Sequence, residues 1–319
     1  MAFALAVPLT RLQRYCVGCF FTVGVALIGL ATLGKYLLNP TEANRLIETG
    51  QNIASVTRIF HIHFSIMLVL GVYFGYFLQR EATAPALLRW ILRGAALTSA
   101  VVLHVLAYRT GLLALYTTLL VDVVLVVILK RKLLVGLGLL TCLVVVPYAA
   151  YESLPSIQRR FWGSLHDVTQ FREGRDINTS SLSQRLAAWQ TAQDVAARSP
   201  WLGVGPADAF DAMMQEYAWQ DYGLRSEHRP MIHNQYLHYL VASGLLGLFL
   251  WLLVLLTPLL QPAMRQNPYV VHFLVILGAA MLVDSLLEVQ IGFNLFVFLY
   301  GFLVVSMERQ VQAAQQNPS

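Results

Sequence analysis

Three residues that lie far apart in this sequence, Arg109, Arg185 and His233, are the side chains best suited to group-transfer chemistry. Two guanidinium groups can hold a pyrophosphate through paired hydrogen bonds and stabilise the negative charge that grows as it leaves. Histidine exchanges a proton near neutral pH, so it is the general base to expect for an acceptor hydroxyl. The same inventory would also serve an anion transporter.

Each of these residues also has a purely structural interpretation. Arg109 could extend its side chain to a membrane interface, and Arg185 could form a surface ion pair. His233 could satisfy free backbone groups where a helix begins. Asp284 and Glu288, spaced one helical turn apart, could bond to neighbouring helices. The functional interpretation therefore depends on whether the fold brings these positions together.

Metal and nucleotide chemistry find no support in the sequence. Cys16, Cys19 and Cys142 lie in apolar stretches, and no cluster of thiolates, imidazoles and carboxylates has metal-ligand spacing. We assign His61, His63 and His104 to packing or hydrogen bonding. No phosphate-binding glycine loop opens a helix after a strand. We therefore expect no metal, no cofactor and no nucleotide donor.

The composition is that of a membrane protein. Of 319 residues, 57% are hydrophobic and only 12% are charged, about half the charged share of a typical soluble domain. This balance excludes a soluble enzyme and a disordered chain. The formal charge of +5 would suggest an anionic partner in a soluble protein, but membrane proteins distribute basic residues by side. We expect no nucleic-acid partner.

Eight apolar stretches are long enough to cross a bilayer as helices, which need roughly 18 or more residues. They cover residues 16–38, 59–78, 88–107, 111–129, 132–150, 236–257, 269–287 and 289–306. We predict an all-α polytopic membrane protein whose last two spans form a tight hairpin. Its parts are a five-span bundle (1–150), a polar cap (151–235), a three-span bundle (236–306) and a tail (307–319).

The basic residues set the orientation of these spans. Alternation places ten of the 22 basic residues on one side: Arg11, Arg14, Arg80, Arg89, Arg93, Lys130, Arg131, Lys132, Arg265 and Arg309. Short loops rich in Lys and Arg remain cytoplasmic. We predict that both termini are cytoplasmic and that the 39–58 loop and the cap face the opposite side. Arg109, Arg185, His233, Asp284 and Glu288 then share that opposite side.

The cap is slightly acidic and should be folded. It carries eight arginines, no lysine and ten acidic residues. We assign most of these arginines to solvated ion pairs. Ser183 should cap a helix that runs to Arg198, and a second helix should cover 207–219, after a tight turn at 203–206. We interpret Gly244 and Gly247 as a small-residue helix contact only.

Four segments together resemble the O-antigen ligase/polymerase family. In chain order they are 108–115 (YRTGLLAL), 184–189 (QRLAAW), 199–210 (SPWLGVGPADAF) and 233–247 (HNQYLHYLVASGLLG). The resemblance implies a metal-independent, multi-helix fold of the lipid-linked-sugar glycosyltransferase type. It assigns the donor pyrophosphate to Arg109 and Arg185, the acceptor hydroxyl to His233, and substrate binding also to Asn234 and Tyr236. Members commonly have about twelve spans against the eight counted here, so about four early helices would be missing: either the sequence begins at an internal start, or the protein is a shortened member.

By this resemblance, a glycan would pass from undecaprenyl pyrophosphate to an acceptor at the periplasmic face of the bacterial inner membrane. The expected partners are this lipid-linked donor, a lipid A–core acceptor and membrane lipid. Alternatives within the family are an O-antigen or exopolysaccharide polymerase and a protein O-oligosaccharyltransferase. A transporter of anions or lipid-linked glycans is the alternative of a different class, but no related halves with broken helices are evident.

Overall fold

The computed structural model of the chain describes residues 9–48, 51–81, 84–220 and 222–309. The regular secondary structure of these residues is helical, with no strand among them, which confirms the predicted all-α class. The helices are α1 (Arg11–Leu38), α2 (Pro40–Glu48), α3 (His61–Leu78), α4 (Ala86–Val105), α5 (Arg109–Val124), α6 (Leu133–Ser153), α7 (Pro155–Arg172), α8 (Ser181–Arg198), α9 (Ala209–Trp219), α10 (Gln235–Leu256), α11 (Pro268–Ala280) and α12 (Gln290–Leu299).

Short irregular turns extend or join several of these helices. π-helical segments continue α5 over Leu125–Leu129 and α12 over Tyr300–Val305. 3-10 helices cover Ser226–His228, Thr257–Leu260 and Leu286–Glu288, and one α-helical turn covers Pro262–Arg265.

Seven helices of the described chain are long and apolar enough to cross a membrane, namely α1, α3, α4, α5, α6, α10 and α12, counted with their extensions. This confirms a polytopic membrane protein. α11 is apolar but has only 13 residues. The seventh span, predicted over 269–287, is therefore wrong in its extent.

The early end of α11 has an identifiable cause. After Ala280 the backbone turns away from the helix and bonds to the chain before α10: the Gln235 N–H donates to the Met281 carbonyl at 2.9 Å. Asp284 consequently lies in a turn and Glu288 in a 3-10 helix, not one α-helical turn apart as predicted. The expected tight hairpin between the last two spans is wrong for the same reason.

α3 forms the centre of the bundle. Thirteen of its 18 residues are buried, because apolar side chains surround it on all sides and α1, α4, α5 and α11 pack around it. α6 is the opposite case, since Gly136 is the one buried residue recorded along its length. α6 therefore lies at the periphery, where its apolar surface would face lipid.

The cap and the 39–58 segment contain more helix than the sequence predicted. α2 occupies part of the stretch predicted as a loop over 39–58, and α7 was not predicted. α8 begins at Ser181, not after a cap at Ser183, because the Ser183 hydroxyl donates instead to the Asp167 carbonyl at 2.6 Å. α9 begins two residues later than predicted. α8 and α9 share a small core that continues onto α10.

A break in α10 joins the cap to the bundle. Gly244 has φ 63° and ψ −163°, so the helix opens there. The loop at 200–205 fills the opening with four backbone hydrogen bonds: Val204 to Val241, Gly205 to Ala242, Leu245 to Pro200 and Leu246 to Trp201, donor first, at 2.8–3.2 Å. The interpretation of Gly244 as a small-residue contact only is therefore wrong.

Two glycines make this junction possible. A Cβ on Gly203 would lie 2.5 Å from the Ser243 nitrogen, and one on Gly244 would lie 2.3 Å from the Trp201 carbonyl carbon. Both residues also have positive φ, which favours glycine. The junction depends on backbone groups, and an unsatisfied backbone group at membrane depth costs several kcal/mol.

We expect Gly203→Ala to destabilise the protein more than Gly174→Ala. Both glycines have similar positive φ, but nothing lies within 4 Å of a Cβ at Gly174. The control therefore measures only the cost of placing alanine at positive φ, roughly 1–2 kcal/mol. Thermal unfolding in detergent measures both variants, and equal melting temperatures would show that the close approach does not contribute.

Candidate functional site

His233 is held in a constrained position just before α10. Its φ of 47° is unusual for a residue other than glycine. The Trp189 indole N–H from α8 donates to the His233 carbonyl at 3.4 Å. On its other side, the ring nitrogen Nδ1 lies 2.9 Å from Asp284 Oδ1. The imidazole is 38% exposed, so Nε2 faces a region that a substrate could reach.

Asp284 fixes the protonation pattern of this imidazole. An ionised carboxylate only accepts hydrogen bonds, so Nδ1 is the donor in this pair, and in the neutral form of the imidazole Nε2 carries the lone pair that a general base needs. Burial by itself raises the pKa of Asp284, but the hydrogen bond and charge of His233, together with Arg185, bring it below its ordinary value. The pair has the arrangement in which a carboxylate orients a histidine as a general base.

Asn234 and Tyr236 join α10 to the turn after α11. Asn234 Oδ1 accepts from the Tyr236 and Leu237 N–H groups at 3.0 Å, and its amide donates to the Leu282 carbonyl at 2.9 Å. The Tyr236 hydroxyl donates to the Gly278 carbonyl at 2.9 Å. These contacts give both residues a positioning role, and their predicted contact with substrate stays a prediction.

Arg185 reaches the same region from the cap helix α8. Burial lowers the pKa of its guanidinium, and the nearby negative charge of Asp284 opposes that shift. Among the described residues its side chain forms no recorded ion pair or hydrogen bond. The structure therefore places a partly buried cation beside the His233–Asp284 pair with its donors free.

Arg109 is the first residue of α5, and its neighbours fix that helix start. The Tyr108 hydroxyl donates to the Ile53 carbonyl at 2.6 Å. A Cβ on Gly111 would lie 2.5 Å from Leu103 and 2.7 Å from Ser65, so glycine lets α5 approach α3 closely. The charges of Arg109 and Arg185 lie near enough to repel each other. Such a pair of like charges suits an anionic ligand.

Arg160 on α7 is a third arginine that the sequence analysis left among the solvated ion pairs. It is only 5% exposed. Its Nη2 donates to the Gln51 carbonyl at 2.8 Å and to Asn52 Oδ1 at 2.9 Å. Burial and the charge of Arg109 lower its pKa to about 9, against the opposing effect of Asp167.

A helical pattern in the sequence could have found Arg160. Ser156, Arg160 and Asp167 are the buried residues of α7 and recur at spacings of four and seven. These spacings put them on one face of a helix. The sequence analysis predicts no helix over 155–172, because the polar composition of this segment is typical of a loop.

The remaining polar residues lie in separate pairs. Glu288 Oε1 accepts from Gln235 at 3.1 Å and lies 3.3 Å from His238, so it bonds to α10 and not to His233. His104 pairs with the Tyr116 hydroxyl at 2.6 Å, as the assignment to hydrogen bonding implied. Within the described residues, no three His, Cys, Asp or Glu side chains are grouped to hold a metal ion.

Residues 94–252 match the family described as O-antigen ligase. The chain belongs to the O-antigen ligase family. The matched stretch includes Arg109, Arg185 and His233, while Asp284 lies beyond it. Searches of curated proteins and of solved structures give no match. The family resemblance of the four sequence segments is thus confirmed by an independent comparison.

Membership of the O-antigen ligase family gives the general activity. The protein is a glycosyltransferase-type enzyme that ligates or polymerises glycans, with a lipid-linked glycan donor and an acceptor. Together with its apolar helices, the family makes it a multi-pass protein of the bacterial inner membrane that acts in lipopolysaccharide biosynthesis.

We expect the stabilising effect of the Asp284 carboxylate to depend on pH. Its pKa is lower in the folded chain, so the ionised form stabilises the fold above the ordinary value of about 3.9. That stability is lost as the pH falls through the lower folded value. The melting temperature of Asp284→Asn in detergent should therefore lie below that of the wild type at pH 7 and approach it below about pH 4.

Asp211→Asn is the matched control, because Asp211 lies on the exposed face of α9. It should differ little from the wild type at either pH. A difference between Asp284→Asn and the wild type that stays the same from pH 7 down to pH 2 would contradict the proposed ionisation of Asp284.

Proposed function

We propose that the protein transfers a glycan from undecaprenyl pyrophosphate to a sugar hydroxyl of lipid A–core, at the periplasmic face of the inner membrane and without a metal ion. One observation supports this proposal: Arg109, Arg185, His233 and Asp284 come from four separate parts of the chain, yet His233 bonds to Asp284, the charge of Asp284 acts on Arg185, and the charge of Arg185 acts on Arg109.

The proposed reaction is a single displacement at the anomeric carbon of the donor sugar. The acceptor hydroxyl oxygen forms a bond to that carbon as the bond from the carbon to the pyrophosphate oxygen breaks. The hydroxyl proton moves to Nε2 of His233, and Asp284 stabilises the resulting imidazolium. The glycan joins the acceptor, and undecaprenyl pyrophosphate leaves with its additional negative charge.

The arginines would act on the leaving group. Pyrophosphate gains charge as it departs, and guanidinium groups already held in place stabilise that charge without reorganising. The negative charge of Asp284 acts on Arg185, and the charge of Arg185 acts in turn on Arg109. Arg160 adds positive charge behind Arg109 but remains bonded to the chain at Gln51 and Asn52. We assign it to positioning.

The proposed periplasmic location of the site follows from the basic residues at the opposite end of the bundle. Arg80, Arg93, Lys130 and Arg265 line one opening at that end, and short loops with such residues remain cytoplasmic. Both termini are then cytoplasmic. The cap and the site lie on the periplasmic side, where a lipid-linked glycan and lipid A–core would both be available.

We expect purified protein to transfer glycan from its lipid pyrophosphate to lipid A–core in the presence of EDTA. His233→Ala should reduce the rate by roughly 10²–10⁴-fold, because the general base is lost. His228→Ala is the matched control, since His228 bonds to Asn178 within the cap and should retain the activity.

Three acceptors tested separately distinguish the related functions. Lipid A–core supports the ligase, a second lipid-linked repeat unit would indicate a polymerase, and a protein acceptor would indicate an oligosaccharyltransferase. Transfer to lipid A–core that requires added metal, or that His233→Ala leaves at the wild-type rate, would contradict the proposed mechanism.

We expect Arg185→Lys to lower transfer by at least tenfold even though the charge is kept. A lysine offers a point charge, whereas the planar guanidinium donates paired hydrogen bonds to phosphate oxygens. Arg159→Lys is the control, because Arg159 forms an exposed ion pair with Glu48 that lysine can replace. Equal initial rates for the two variants would show that charge alone is needed at Arg185.

A further inference from the structure

A large groove runs along the bundle on the side away from the candidate site. It has a volume of about 1610 Å³, larger than the roughly 300–1,000 Å³ of a typical small-molecule pocket. α3, α4, α5, α6 and the start of α11 contribute its walls. Among the side chains that form these walls are Tyr73, Leu97, Leu119 and Leu139.

The groove is long enough to hold an acyl chain of one lipid leaflet. Along α5 and its extension it runs from Leu115 to Lys130, which corresponds to about 22 Å at 1.5 Å per residue. Half of a bilayer hydrocarbon core is about 15 Å. α6, which closes one side, is otherwise almost entirely exposed, so the groove adjoins the surface that would face lipid. An acyl chain could enter it sideways from the bilayer.

The opening of the groove is strongly basic. Arg80, Arg93, Lys130 and Arg265 line it, and within the described residues none of the four forms an ion pair with an acidic side chain. Arg11 also lines it, but Arg11 pairs with Glu81 at 2.8 Å. Four exposed cations thus surround one end of an apolar channel.

The polar groups deeper in the groove are already paired with each other. Asp122 Oδ1 accepts from His272 at 2.9 Å, and His104 bonds to the Tyr116 hydroxyl at 2.6 Å. These pairs satisfy the polar atoms without a ligand. The interior therefore suits a hydrocarbon chain, and the unpaired charge is confined to the opening.

We propose that this groove binds an anionic phospholipid from the leaflet at the basic end of the bundle. The headgroup phosphate lies among Arg80, Arg93, Lys130 and Arg265, and one acyl chain lies along α5 toward Leu115. Charge complementarity selects an anionic over a zwitterionic lipid, because each basic residue near an anionic headgroup adds to the attraction. This site is separate from the one assigned to glycan transfer.

Two pairs of basic residues at the same end of the protein allow a test matched in charge, because only one pair lines the groove. Lys130 and Arg265 line the groove, whereas Arg131 and Lys132 follow in the same basic loop and do not. Lys130→Gln/Arg265→Gln and Arg131→Gln/Lys132→Gln remove the same charge from the same end of the protein. Native mass spectrometry of each purified variant, titrated with phosphatidylglycerol or phosphatidylethanolamine, measures the bound lipid.

We expect wild type and Arg131→Gln/Lys132→Gln to retain phosphatidylglycerol in preference to phosphatidylethanolamine. Lys130→Gln/Arg265→Gln should bind phosphatidylglycerol roughly tenfold to thirtyfold more weakly, with an unchanged melting temperature in lipid-free detergent. Leu139→Trp, which narrows the groove without altering charge, should also weaken binding. Weaker binding by Leu139→Trp would show that the acyl chain occupies the groove, because this substitution leaves the charge around the headgroup unchanged.

Three results would overturn the proposal. Equal weakening in the two double variants would show that general surface charge attracts the lipid. Equal retention of both lipids by the wild type would remove the role of the headgroup charge. Displacement of phosphatidylglycerol by equimolar undecaprenyl phosphate would assign the groove to a polyprenyl chain instead.

Discussion

The hydrogen bonds between the turn after α11 and the residues before α10 organise the whole site. Once α11 ends at Ala280, the carbonyls of the turn that follows it need partners, because backbone groups near the membrane interior cannot remain unsatisfied. The Gln235 N–H and the Asn234 amide supply two of these partners, at Met281 and Leu282. The same alignment brings His233 to Asp284. The position of the proposed base thus follows from how two helix ends satisfy each other.

The cap depends on a second junction of the same kind. The opened backbone of α10 around Gly244 accepts the loop at 200–205, and the shared core of α8, α9 and α10 continues from it. α8 carries Arg185 and Trp189, so fastening the cap also fixes the cation and the indole that donates to His233. The side chains of Arg185 and Trp189 are therefore positioned by main-chain contacts around Gly244 that do not themselves belong to the site.

The sequence was sufficient for the class of fold, because the length of the hydrophobic stretches reports it. It was insufficient where tertiary contacts override local pattern. Apolar residues continue past Ala280, so the end of α11 is decided by bonds to residues 233–235 and not by composition. Arg160 lies in α7, a helix whose many polar residues are equally typical of a loop. Gly244 has the spacing of a small-residue helix contact, and the residues around it do not indicate that the loop at 200–205 bonds to a break in α10 there.

The junction at Gly244 also has a consequence for biogenesis. Four main-chain groups of α10 and the loop depend on each other, and the loop precedes α10 along the chain. When α10 leaves the translocation machinery, its complement has already been synthesised. The main chain of α10 is fully paired only once the cap has docked. A chain whose cap has not docked would leave these four groups of α10 without their partners.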